Sequence, residues 1–151
     1  MIAQQISIFA ENKPGRLAAV TRILAKEKIN IRATNITTAD TFGVINFIVD
    51  NPKRAEKALS KAGMTVQLRD VLAVLLEDRP GGLDKITQLL AREGININNA
   101  YGFVLEGSKK AVFVVDVDQM DKTDQLLRKH GVQTLDTEAL SAIEPFHYLN
   151  Y

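Results

Sequence analysis

The chain has 151 residues, 46% of them apolar and 25% charged, which suffices for one medium domain or two small ones and excludes disorder. It contains no cysteine, so disulfides, thiol catalysis, zinc–thiolate centres and iron–sulfur clusters are excluded. A net charge of +1 argues against a general nucleic-acid binder.

The opening MIAQQISIFAENK has neither a basic leader nor a long apolar run, so no signal peptide is expected. The longest apolar run, Val71 to Leu76, is far too short to span a bilayer. A soluble cytoplasmic protein is therefore expected. Gln5 to Ala10 alternates and is rich in Ile and Phe, which predicts a strand. ENKPG then breaks the chain in a turn. Leu17, Val20, Ile23 and Leu24 recur at helical spacing and predict an amphipathic helix with one apolar face. Ile29-Asn30-Ile31 opens a second strand that runs to about Thr37, and Phe42 to Val49 is a third. A turn around Thr38–Thr41 joins these two as a hairpin. Pro52 to Ala62 is a second helix, ended by Gly63, and Val66 and Leu68 mark a short fourth strand.

The same order then recurs. With an offset of 66, ENKPGRLAAVTRILAKEKINI lies over EDRPGGLDKITQLLAREGINI without a gap, and 11 of the 21 positions are identical. Leu83, Ile86, Leu89 and Leu90 repeat the helical stripe, Gly94 stops that helix, and NFIVD at 46–50 lies over VFVVD at 112–116. Gly63 pairs with Gly131 at an offset of 68, which places two extra residues in the second copy, whose hairpin turn falls at Glu106–Lys110. A period this long means two copies of one domain rather than a solenoid. Each copy reads βαββαβ, an α+β, ferredoxin-like order with both helices on one face of an antiparallel sheet. The expected boundaries are residues 1–69 for the first domain and 70–136 for the second. Residues 137–151 form a C-terminal tail without a counterpart, read as a short helix and a proline-broken aromatic end.

Where the first strand of each copy turns into its helix, the opening backbone amides have no partners inside the helix, and the dipole adds partial positive charge. An anion such as a carboxylate is favoured there. Gly15 and Gly81 let a ligand approach the backbone, and Asn12 offers donors and an acceptor. The structural alternatives are that the Pro-Gly pairs only start helices and that Asn12 and Asp78 only cap them. Asn30 and Asn96 have an equally plain role, satisfying local backbone at a turn.

The pattern strand, (E/D)-(N/D)-x-P-G-x-L, helix, (G/K)-I-N-I, strand resembles the ACT domain, a βαββαβ regulatory module of amino-acid metabolism. The resemblance covers both halves and leaves only the tail. It implies a stand-alone, non-catalytic regulator with no cofactor. Such a protein binds a small metabolite, above all an amino acid, at a domain or subunit interface. It implies a homodimer, and a partner enzyme or regulator that reads the bound state. Carried over position by position, the ligand-binding residues are Asn12, Pro14, Gly15, Asn30 and Ile31 in the first copy, and Asp78, Pro80, Gly81, Asn96 and Ile97 in the second. Serine-binding members carry a histidine two residues before the turn asparagine; Ala10 and Leu76 stand there, so the resemblance does not point to serine. Because Asp78 repels a carboxylate where Asn12 does not, the first site is expected to bind carboxylates better.

Other chemistries find little support. There are two histidines, His130 at a helix C-terminus and His147 in the tail, and no phosphate-loop motif. Asp116, Asp118, Asp121 and Asp124 lack the glycine and terminal glutamate of a calcium loop and read as a strand exit and a helix start, so no metal is expected. Two alternatives remain open beside the sensor: a structural dimerisation module without ligand, and an RNA-binding protein of the same fold. The second needs exposed aromatics on the sheet, and Phe47 and Phe113 read as core instead. A small enzyme on this fold is a weaker third.

Overall fold

The computed structural model describes residues 1–105 and 109–143. Most of the expected second hairpin turn, the aromatic end of the tail and His147 lie outside the described residues. The chain divides into two compact units, one of Gln4–Arg69 and one of Met1–Ala3 together with the chain from Asp70 onward.

The first unit is built from β1 (Ala3–Glu11), α1 (Arg16–Lys26), β2 (Ile31–Ala39), β3 (Phe42–Val49), α2 (Pro52–Lys61) and the opening residues of β4 (Thr65–Glu77). β3 lies between β1 and β2 and pairs antiparallel with both, with Glu11 opposite Phe42 and Ile31 opposite Val49. Strand alternation sends Ile6 and Ile8 of β1 and Ile45, Phe47 and Val49 of β3 to one face. Val20 and Leu24 of α1 and Ala55 and Leu59 of α2 join them in one buried cluster. Both helices therefore cover the same face. Leu24 and Leu59 are fully buried, and each contributes roughly 2 kcal/mol through the area it removes from water. Asn51 caps α2 by accepting from the Arg54 amide at 3.2 Å, with Pro52 at the first helical position. The other face of β1 and β3 buries polar groups. Ser7 Oγ donates to Asn46 Oδ1 at 2.7 Å, Gln5 Nε2 donates to the same oxygen at 3.1 Å, and Asn46 Nδ2 reaches Asn35 Oδ1 at 3.4 Å.

The second unit repeats the plan with the rest of β4, α3 (Gly82–Arg92), β5 (Ile97–Val104), β6 (Lys110–Val117), α4 (Met120–Lys129) and β7 (Thr134–Leu135). β6 pairs antiparallel with β4 and β5, with Glu77 opposite Lys110 and Ile97 opposite Val117. Leu72, Val74, Val115 and Val117 meet Ile86, Leu89, Leu90 and Leu127 in its core. β7 pairs with β4 at Ala73 and Val74, and α5 (Thr137–Ala142) follows, capped by Asp136. Thus two βαββαβ units stand in tandem, as the repeat predicts.

The first residues of the chain belong to the second unit. Ile2 packs against its core, and the terminal ammonium of Met1 bonds Asp124 and, at 3.2 Å, Thr134 Oγ1. Thr134 also donates to Asp124 Oδ1 at 2.7 Å, and Arg128 lies 3.2 Å from the other carboxylate oxygen. Burial pushes the Asp124 carboxyl up, but the hydrogen bonds from the ammonium and Thr134, with the ammonium and Arg128 charges, outweigh it and hold the carboxyl below its usual range. The sequence reading assigns Asp124 to a dipole-favoured helix start; the structure makes it a buried anchor inside α4.

Candidate functional site

The two Pro-Gly turns match bond for bond. The Asn12 amide donates to Thr41 O and the Asp78 amide to Lys109 O, both at 2.7 Å. Lys13 N reaches Glu11 O, and Arg79 N reaches Glu77 O, both at 3.0 Å. Gly15 has φ of 89° and Gly81 of 86°, left-handed values that glycine adopts without the Cβ penalty. Each glycine is the N-cap of its helix, and no side chain caps either end. The helix starts therefore keep amides available to a ligand. Asn12 and Asp78 do not act as caps: the Asn12 carboxamide donates instead to Asp40 O at 3.2 Å, in the β2–β3 turn. Asn12, Pro14, Asp78 and Pro80 are all exposed.

One difference separates the turns. A Cβ on Gly82 would lie 2.1 Å from Glu77 O, whereas Arg16 occupies the same place in the first unit. The first turn is correspondingly looser: Arg16 N lies 3.4 Å from Lys13 O, against 2.9 Å for Gly82 N to Arg79 O.

Asn30 and Asn96 immediately precede β2 and β5. The Asn30 backbone exchanges bonds with Asp50, its amide donating to Oδ1 and its carbonyl accepting from the Asp50 amide, both at 3.1 Å. Its carboxamide is exposed and makes no hydrogen bond among the described residues. The Asn96 carboxamide donates to Asn98 at 3.2 Å, which donates to Asp118 at 2.7 Å. Ile31 and Ile97 are half-buried and pack on the two cores. Within a unit the structure does not bring the turn and the asparagine together. The turn lies at the Phe42 end of β3 and Asn30 at the Val49 end. The strand rise over that span puts them roughly 24 Å apart.

A cleft lies beside each helix start; Pro80 and Gly81 line the second, whereas the first is lined by the flanking Glu11 and Arg16 and not by Asn12, Pro14 or Gly15. In the first unit it is about 310 Å³, lined by Phe9, Glu11, Arg16, Ala19, Phe42 and Met64 among others. In the second it is about 420 Å³, lined by Glu77, Pro80, Gly81, Lys85, Lys110 and Gln133 among others. Both volumes fall in the range of small-molecule sites. In the first cleft the Lys13 ammonium, 3.0 Å from Glu11, and the nearby Arg16 hold the Glu11 carboxyl below its usual range. The sequence reading misses the lining residues contributed by strands and by the turn after the second helix, because only the fold brings them beside the glycines. It also assigns Leu17 and Leu83 to the buried helix stripe. They are 38% and 45% exposed, because they sit in the first helical turn, ahead of the turns that meet the sheet.

Phe47 is buried and Phe113 packs on the second core, so neither supplies a stacking surface for RNA. His130 ends α4, its Nδ1 3.0 Å from Leu126 O. Among the described residues no cluster of His, Asp and Glu has the makings of a metal site, and no helix is long and apolar enough to cross a membrane.

The crystal structure of protein BT0572 from Bacteroides thetaiotaomicron is 37% identical, with a TM-score of 0.88 over 94% of this chain and 97% of that one. The regulatory subunit of aspartate kinase from Thermus thermophilus, in a ligand-free form, shares the fold at 18% identity. Its TM-score is 0.59, over 85% of this chain and 96% of that chain. The corresponding subunit from Thermus flavus aligns at 18% identity and a TM-score of 0.56, over 85% and 95% of the two chains. No curated protein matches significantly. The family described as the ACT domain pair matches residues 1–144, and with both halves folded as βαββαβ units the chain belongs to that family.

Proposed function

We propose that this ACT domain pair is a non-catalytic regulatory protein of the cytoplasm that binds a small metabolite, above all an amino acid, at its Pro-Gly turns. The observation that carries the reading is the twofold occurrence of an uncapped helix start, opened by a left-handed glycine, beside a ligand-sized cleft that Gly81 itself lines in the second unit. A zwitterion suits such a place, its carboxylate meeting the helix amides. Because Asn30 and Asn96 lie at the far end of their own units, a ligand held by both turn and asparagine must draw them from different units, at a domain or subunit interface. We assign Asn30, Ile31, Asn96 and Ile97 to that complementary role in a homodimer. Binding shifts the balance of assembled states only through unequal affinity for them, and a partner enzyme or regulator reads the shift.

A thermal-shift series with the twenty amino acids tests this. A ligand of the native state at a hundredfold excess over its Kd raises Tm by about 5 °C. No shift with any amino acid at millimolar concentration leaves a dimerisation module without ligand as the better account.

A further inference from the structure

The two clefts occupy the same place in the fold, and most of their lining residues correspond, though Arg79, Pro80 and Gly81 line only the second. Phe9, Ala19, Phe42 and Met64 line the first; Leu75, Lys85, Lys110 and Val132 take their places in the second. Strand register confirms the most telling of these exchanges, since Phe42 lies opposite Glu11 and Lys110 opposite Glu77. Two apolar positions in one unit are thus lysines in the other.

The remaining carboxylates are both paired. Glu11 is neutralised by Lys13 and Arg16, and Glu77 by Arg79. Lys85 and Lys110 join no ion pair among the described residues. The first cleft therefore offers apolar surface with one spare cation, since Glu11 offsets only one of Lys13 and Arg16, and the second, with Gln133 at hand, holds two cations outside any such ion pair. A single carboxylate satisfies one of them; two cations facing one space favour a ligand with two negative charges.

We propose that the cleft of Lys85 and Lys110 binds a small ligand with two anionic groups, a dicarboxylate of the acidic amino-acid type, and that the matching cleft of Phe9 and Phe42 does not. This rests on the regulatory reading above and names the ligand class of one of its two sites. It reverses the order expected from Asp78 alone, because two lysines outnumber that carboxylate.

Calorimetry on the full chain at low salt, with L-aspartate, L-glutamate, inorganic phosphate and L-leucine as probes, tests it. The expected result is one site per chain for an acidic amino acid, with affinity falling as salt rises. Lys85→Ala and Lys110→Phe should each weaken that site about tenfold, the loss expected for one charge-assisted contact. Lys110→Arg should retain it. The reciprocal Ala19→Lys with Phe42→Lys should raise the stoichiometry from one to two. Phosphate binding with the same lysine dependence supports recognition of two negative charges by the lysine pair and identifies phosphate as their source. Acidic probes that bind no better than leucine, or bind equally to the lysine variants, overturn the inference and leave the regulatory reading standing. If neither anions nor any of the twenty amino acids bind, both fall.

Discussion

The two units share a fold and a turn, yet they spend their polar residues in different places. The first buries Gln5, Ser7 and Asn46 in a hydrogen-bonded group on its sheet, where the second has Val71, Ala73 and Val114. The second buries Asp124 with Thr134, where the first has Glu56 and Val66. At the clefts the contrast falls on the lysines. Duplicated backbone thus constrains where the turns and cores lie, while side chains at equivalent positions are free to take up different chemistry. The shared positions show what the fold needs, and the divergent ones what each unit does alone.

The sharpest way to break the comparison is at the third residue of the Pro-Gly turn. Gly82→Ala drives a Cβ into Glu77 O, so the second turn must open, at a cost of about 2–3 kcal/mol. Arg16→Ala at the same place in the looser first turn should change stability by less than about 0.5 kcal/mol, losing only an exposed ion pair. Urea unfolding of the two variants separates these outcomes, and equal midpoints would show that the two turns are interchangeable.

The next largest effect concerns Asp124. Asp124→Asn should cost about 2 kcal/mol by weakening charge-assisted bonds to Thr134 and the terminal ammonium. Its folded carboxyl titrates below the ordinary value, so its contribution is full above the unfolded pKa of about 4 and is lost as pH falls toward the folded one. Stability measured from pH 6 down to pH 3 should fall less steeply for Asp124→Asn than for the parent chain.

The smallest effect sharpens the comparison at the helix ends. Lys28 adopts φ of 57° where the second unit has Gly94, at 68°. Lys28→Gly should stabilise the protein by roughly 0.5–1 kcal/mol, since it removes the left-handed penalty of a side chain. A lowered urea midpoint would contradict that assignment.

Much of this was legible in the residues. The 66-residue offset, the period-2 and helical stripes and the Pro-Gly breaks are local signals, and they located both βαββαβ units and both turns. The β2 ladder begins at Ile31, two residues beyond the expected start, because Ile29 is buried like a strand residue without joining the ladder. What was hidden depends on distance along the chain. Asp124 meets the amino terminus across 123 residues, and no spacing rule links them. Lys85 and Lys110 look like ordinary surface lysines until the register sets one across from Glu77 and the helix brings the other to the same cleft.

The buried Gln5–Ser7–Asn46 group also bears on how a duplicated chain avoids scrambling itself. Two homologous units joined in one polypeptide are prone to exchange equivalent strands during folding. If β1 took the place of the later half of β4, Gln5 and Ser7 would face Val114, with no acceptor in Asn46's position. Each stranded donor would cost roughly 1–3 kcal/mol, so the mismatch acts as a proofreading step that returns each strand to its own sheet.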